Sequence, residues 1–302
     1  MKKNNNQIKR EIPLHLMMIP GVLALILFSY VPMFGIFIAF QNFNPAKGLF
    51  GNNPFIGFEN FRYVFSLPTV WRVFFNTLGI ALAKIIIGTL VPIAIALLLN
   101  ECRNVLFKRV TQTAIYFPYF ISWIILGGIL LDIMSPSTGI INKLIGFFGA
   151  DPIYFLGDNK YFPGTLVLSD VWRNFGYNSV VYLAAITGID LALYEAAAID
   201  GAGRWKQTLH VTLPGMSTIV ILMIVLNMGN LLNAGFEQVF NLYSPQVYES
   251  GDIIDTMVYR LGLEQAKFGP STAVGLLKSV ISFILISGSY YIAYKKFDYK
   301  IF

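Results

Sequence analysis

Charge is scarce in this sequence, and the side chains of redox and metal chemistry are scarcer. Charged residues fill 13% of its 302 positions, against about 25% in soluble domains. The single cysteine, Cys102, excludes an internal disulfide and a cysteine metal cage. The two histidines, His15 and His210, lie far apart, and neither has a second ligand type at metal spacing. Both are read as interfacial or helix-packing residues, and no metal is expected. No Gly-x-x-x-x-Gly-Lys-Ser/Thr run occurs, so the chain has no phosphate loop of that kind for ATP. The net charge of +6 is not a nucleic-acid signature, because the basic residues stand at the ends of apolar runs and not in a patch interleaved with aromatics.

What is abundant is hydrophobic length. Hydrophobic residues make up 56% of the chain and the mean hydropathy is +0.63, the composition of an integral membrane protein. A membrane-crossing helix takes roughly 17–25 mostly apolar residues. Six stretches qualify, at about 16–40, 74–99, 113–134, 165–189, 216–240 and 271–294. The expected fold class is all-α, with six transmembrane helices. A cytoplasmic tail is expected over 1–15 and the first crossing with an external loop over 16–72. A five-helix core follows over 73–294, with a polar loop at 191–215, and then a tail over 295–302. The external loop mixes turn formers with aromatics that suit the membrane interface.

An even number of crossings puts both termini on one side. Of the 22 Lys and Arg, twelve lie in the two tails, the loop after the second run and the loop 191–215. Seven are spread over the longer opposite loops, and Lys84, Arg173 and Lys278 fall inside spans. The positive-inside bias makes the first group cytoplasmic. The first run has a basic leader like a signal peptide, yet it is too long, carries Pro20 and Pro32 and lacks a small-x-small cleavage site. It is expected to be retained, with the polar leader as a short flexible tail.

The loop 191–215 is the most specific stretch. It contains Glu195-Ala196-Ala197, then Asp200-Gly201-Ala202, then Trp205, and closes on Leu213-Pro214. Alanines favour helix, the glycines interrupt it, and Pro214 suits a first turn. The residues predict a short helix–turn–helix at the membrane surface, shaped for a groove in another protein. An ordinary amphipathic linker is the alternative, and the full spacing argues against it. The pattern resembles the "EAA" loop of importer-type ABC transporter permeases, with Val211 for the usual Ile and Thr208 where an aromatic is common. In that family the loop is the coupling helix that docks on the ATP-binding subunit. The resemblance extends along nearly the whole chain through Tyr30-Val31-Pro32-Met33-Phe34-Gly35 and Gly57-Phe58-Glu59-Asn60-Phe61, motifs similar to a maltose-type branch that takes up complex oligosaccharides.

The resemblance implies the type I importer permease fold in a bacterial plasma membrane. It also implies a second permease subunit, a dimer of ATP-binding cassette subunits and an extracellular solute-binding lipoprotein. ATP and Mg would reside on the partner subunits, with no cofactor on this chain, and transport would follow alternating access. Relatives importing other solutes keep a non-sugar substrate open. An ion-coupled carrier is disfavoured because Asp132, Asp170, Asp190 and Glu237 fall near predicted span ends; an intramembrane enzyme lacks a mid-depth His or carboxylate pair.

Two spans carry polar groups that are costly against lipid. The fourth holds Asp170, Trp172, Arg173, Asn174, Tyr177 and Asn178. Asp170 and Arg173 at i, i+3 are candidates for a simple pair. An aromatic with donors and acceptors is also what a pyranose takes, by stacking on its C–H face and bonding its hydroxyls. In maltose-type permeases this helix lines the sugar cavity, and Trp172, Arg173, Asn174 and Tyr177 occupy the comparable positions. In the fifth span Asn227, Asn230, Asn233 and Glu237 follow at spacings that place them on one helical face. Interhelical bonding is the alternative, but at about 0.6 kcal/mol per contact it is a poor reason for three amides in a row. Asn227, Asn230 and Asn233 are therefore expected to line a polar substrate path with Trp172, Arg173, Asn174 and Tyr177. Lys84 and Lys278 are expected to snorkel or pair.

Overall fold

A computed structural model describes residues 5–229 and 231–297. Among them there is no strand beyond one bridge between Gln41 and Phe55. Three stretches are long and apolar enough to cross a membrane: Pro13–Phe40, Val70–Glu101 and Phe268–Tyr291. Three bent pairs bring the number to six when each pair counts as one crossing.

By their contacts the residues fall into two compact units, 1–67 with 258–276, and 68–257 with 277–302. The first unit opens with α1 (Asn5–Leu25), which begins well before the apolar run at residue 16, inside the stretch expected to be a flexible tail. Helical turns continue to Phe40. They widen at Ile26–Tyr30, ahead of Pro32, where the proline ring displaces the carbonyl ladder. Little of this stretch is covered by the rest of the chain, and Phe28, Leu27 and Phe37 are exposed as lipid-facing residues would be. A compact loop follows, in which Asn42 N donates to Pro54 O and Ile56 N to Phe40 O, and it leads into α2 (Glu59–Ser66).

The second unit is built on α3 (Val70–Glu101). At 1.5 Å per residue it measures about 48 Å, enough to cross the hydrocarbon core. It stops at Cys102, where the backbone is extended. Asn104 then caps α4 (Val105–Tyr116), its side chain accepting from Phe107 N at 3.0 Å. The third apolar run is not one straight helix. The chain turns by 101° between Val105–Phe120 and α5 (Trp123–Ile133), because Pro118 cannot extend the ladder, Ile121 and Ser122 are extended, and Ser122 caps the new helix.

The fourth run becomes α6 (Phe162–Thr187) and bends by 68° into α7 (Leu191–Ile199). The fifth is α8 (Ser217–Gly229), followed by a non-helical stretch and α9 (Phe236–Leu242). A single face running from Asn227 to Glu237 therefore does not exist. Helix α10 (Phe268–Phe297) forms the last crossing. Leu126, Phe162, Leu166, Leu231 and Leu242 form the centre of the core between α3, α5, α6 and α9.

α4 and α6 approach closely at Gly176, where a Cβ would lie 1.9 Å from the carbonyl oxygen of Ile115. Gly176→Ala should force these helices apart at a cost of about 1–3 kcal/mol. The check is the thermal midpoint of the purified chain, which should fall; an unchanged midpoint would mean the helices separate without loss.

Candidate functional site

The second unit holds a half-open cavity of about 230 Å³. Its polar wall comes from Lys84 on α3, Asp170, Asn174 and Asn178 on α6, Asn227 on α8 and Asn233 in the break before α9. Of the residues proposed from sequence to line a substrate path, Asn174, Asn227 and Asn233 are thus brought together. Asn230 lies outside the described residues.

The break is held from the side. Lys84 Nζ donates to Ala234 O at 2.7 Å and to Gln238 Oε1, and lies 3.7 Å from the Asp170 carboxylate. Gln238, fully buried, donates its two amide hydrogens to Leu166 O at 2.7 Å and to Ser169 Oγ at 2.8 Å. Gln238 is therefore satisfied at every polar atom, as a buried amide must be. Asp170 pairs with Lys84 and not with Arg173, which corrects the i, i+3 pairing considered from sequence. Lys278 pairs with Asp255, one of the two outcomes expected for it. Pairing was likewise one of the two outcomes expected for Lys84, though sequence reasoning assigned it no functional role and passed over Gln238 in favour of Glu237, which is exposed.

The remaining residues of the fourth run point elsewhere. Arg173 Nε donates to Ile121 O at 3.0 Å, and its guanidinium lies over the rings of Trp123 and Tyr119 at 5.0 and 5.6 Å. Tyr177 stacks on Tyr119 at 3.9 Å with the rings nearly parallel, at 6°. These contacts brace the elbow between α4 and α5, and one face of Tyr177 is already occupied. Trp172 is half-exposed and does not line the cavity.

The helix–turn–helix expected at 191–215 is present. Asp190 caps α7 by accepting from Ala192 N at 2.9 Å. The helix ends through Gly201, whose φ of +76° is the left-handed conformation that glycine adopts most easily, and Ala202 N closes the turn on Ala197 O at 2.8 Å. Helical turns resume over Arg204–Gly215 and bend by 55° into α8. Gln207 Nε2 donates to Ala202 O, and Tyr194 OH meets Thr212 Oγ1, both at 3.0 Å. Glu195, Ala196, Asp200 and Pro214 are exposed, while Ala197, Ala202 and Leu213 are partly covered. Ile199 is 87% exposed, Leu191 74% and Trp205 72%. Rigid local bonding thus presents apolar side chains that this chain does not cover.

Residues 88–298 match the family described as binding-protein-dependent transport system inner membrane component. Protein LplB of Bacillus subtilis (strain 168) is 41% identical over 291 residues, covering 96% of this chain and 91% of that protein. The polygalacturonan/rhamnogalacturonan transport system permease protein YteP of the same organism is 42% identical over 273 residues, covering 90% and 85%. Among solved structures, a chain of a bacterial ABC transporter involved in import of the acidic polysaccharide alginate superposes with a TM-score of 0.89. That chain is 34% identical, with 96% of this chain and 98% of that one covered. The family match takes in the capped hairpin with its exposed apolar ridge and α6 and α8 of the cavity wall, and on it and on the likeness to LplB the chain belongs to the family of inner membrane components of binding-protein-dependent transport systems, the permeases of ABC importers.

Proposed function

We propose that this chain is the permease subunit through which an ATP-driven importer passes an oligosaccharide derived from a larger polysaccharide. The observation that carries the reading is the cavity itself. Four asparagine amides surround a Lys–Asp pair that neutralises itself, a lining of donors and acceptors without net charge. Such a wall exchanges hydrogen bonds with hydroxyl groups in many orientations. The relatives named for transport of polygalacturonan/rhamnogalacturonan and of the polysaccharide alginate support the same substrate class.

In this reading the chain sits in the plasma membrane with both termini cytoplasmic and pairs with a second permease subunit. The hairpin 191–215 docks on one of two ATP-binding subunits, which hold ATP and Mg. An extracellular binding lipoprotein delivers the sugar, a step supported by the solved alginate transporter in complex with a pentasaccharide-bound periplasmic protein. Closure of the ATP-binding subunits draws the hairpins together and opens the cavity outward, and their separation opens it inward.

Asn174→Leu and Asn233→Leu test the path. Each removes an amide while keeping bulk, a loss of about 0.5–1.5 kcal/mol per hydrogen bond. Uptake of labelled oligosaccharide should fall by roughly 2–10-fold, with assembly and basal ATP hydrolysis retained. Failure of both variants to assemble would make the amides packing elements and sink the assignment.

A further inference from the structure

The first unit has a cleft of its own, of about 520 Å³, between the loop 41–56, α2 and the residues that open α10. Its volume falls within the range of small-molecule sites. Rings from Phe43, Tyr63 and Phe268 form part of its lining, with Phe43 and Phe268 edge to face at 6.0 Å. Gln41 Oε1 is buried there with no hydrogen-bond partner. A buried acceptor left without a donor calls for one from outside the chain. Lys267 Nζ sits at the hydroxyl edge of the Tyr63 ring and donates to Tyr63 OH at 2.8 Å, which leaves further N–H groups to offer. Its backbone is fixed as well: Lys267 N donates to Leu261 O at 2.8 Å, and Ala266 before it is left-handed at φ 54°. That conformation is uncommon for a residue with a side chain, and such strain tends to collect at binding sites. Glu59 brings an exposed carboxylate to the same cleft.

We infer that this cleft is a second saccharide subsite, separate from the amide-lined cavity, and that it takes one or more pyranose units of the transported oligosaccharide. Aromatic rings offer faces for the sugar C–H surface. Gln41 and Glu59 accept from hydroxyl groups, and Lys267 donates to them. A lipid phosphate fits less well, because Glu59 balances Lys267 and leaves the cleft without net positive charge. The inference rests on the oligosaccharide reading above.

The test measures binding of galactotriose and of trigalacturonate to the assembled transporter in lipid nanodiscs, by saturation transfer to the sugar ring protons. The central cavity is first filled by Asn174→Trp with Asn233→Trp. Saturable binding of at least one trisaccharide should persist, and should weaken about tenfold on adding Lys267→Gln or Gln41→Leu. Lys267 is exposed, so its substitution leaves the fold intact even where Gln41→Leu disturbs the loop. Loss of all binding on filling the cavity, or residual binding indifferent to both substitutions, overturns the cleft and leaves the oligosaccharide reading standing. If the unmodified transporter binds neither trisaccharide, the oligosaccharide reading falls and the cleft inference with it.

Discussion

Lys84→Met should be the most damaging single substitution in the second unit. Its side chain is 10% exposed, and the ammonium serves Ala234 O, Gln238 Oε1 and the Asp170 carboxylate together. Removing it leaves an unpaired charge and two acceptors inside the bundle, a loss of about 3–5 kcal/mol for a broken buried pair. Lys84→Met with Asp170→Asn should recover much of this, because the stranded charge goes too. Lys84→Arg should not, since a Cβ added to Gly235 would already stand 3.0 Å from Nζ and a planar guanidinium needs more room. The measurement is the thermal midpoint of the purified chain with each variant, and a midpoint for Lys84→Met equal to the unmodified one would refute the role. Arg204 and Glu101 provide a contrast. They approach more closely, at 3.0 Å, yet both are about half exposed. Burial, and not the distance, decides which pair matters.

Gly201→Asp should leave the chain inserted in the membrane but uncoupled from ATP hydrolysis. The left-handed φ is strained for most residues, but Asp is among those that tolerate it best. A Cβ at this position meets nothing within 4 Å of its own chain. The variant should therefore fold and insert. The new carboxylate instead projects beside Asp200 from the surface shared with Ile199 and Trp205, on which the proposed docking of an ATP-binding subunit depends. Interface residues of this kind contribute about 2 kcal/mol or more, so uptake should drop about thirtyfold, with stimulation of ATP hydrolysis lost and the chain still present in the membrane. Trp205→Ala should act in the same direction by removing the largest apolar knob. Full uptake and stimulation in Gly201→Asp would show that the hairpin docks elsewhere.

The six apolar runs and the hairpin were legible because both are local. Hydrophobic length marks a crossing, and Asp190, Gly201 and Pro214 act on backbone within a few residues of themselves. The bends were missed: 113–134 and 216–240 read as continuous crossings, although Pro118 and Ser122 carry stop and cap chemistry and Asn233-Ala234-Gly235 is turn chemistry. The regular spacing from Asn227 to Glu237 reads as one stripe where the helix breaks. What sequence could not supply was the partner of Lys84, because Asp170 and Gln238 reach it only through tertiary packing. Arg173 shows the same limit. Its neighbour Asp170 was the obvious partner by spacing, and the backbone carbonyl of Ile121 with two aromatic rings holds it instead.

The Lys84 contacts also set a waiting time. Gln238 is 154 residues further along the chain, and at about 5–20 residues per second it emerges roughly 8–30 s after Lys84 has been made. Until Asp170 is made, 86 residues after Lys84, α3 lies in or beside the bilayer with its ammonium unmatched, at about 2.5–3.5 kcal/mol on the insertion scale. It lacks its carbonyl and amide acceptors for the rest of the interval. The isoleucines and leucines on either side of Lys84 keep the helix in the membrane while it waits. The break before α9 in turn acquires its clamp only as the fifth crossing arrives, so this part of the permease is among the last to become rigid during synthesis.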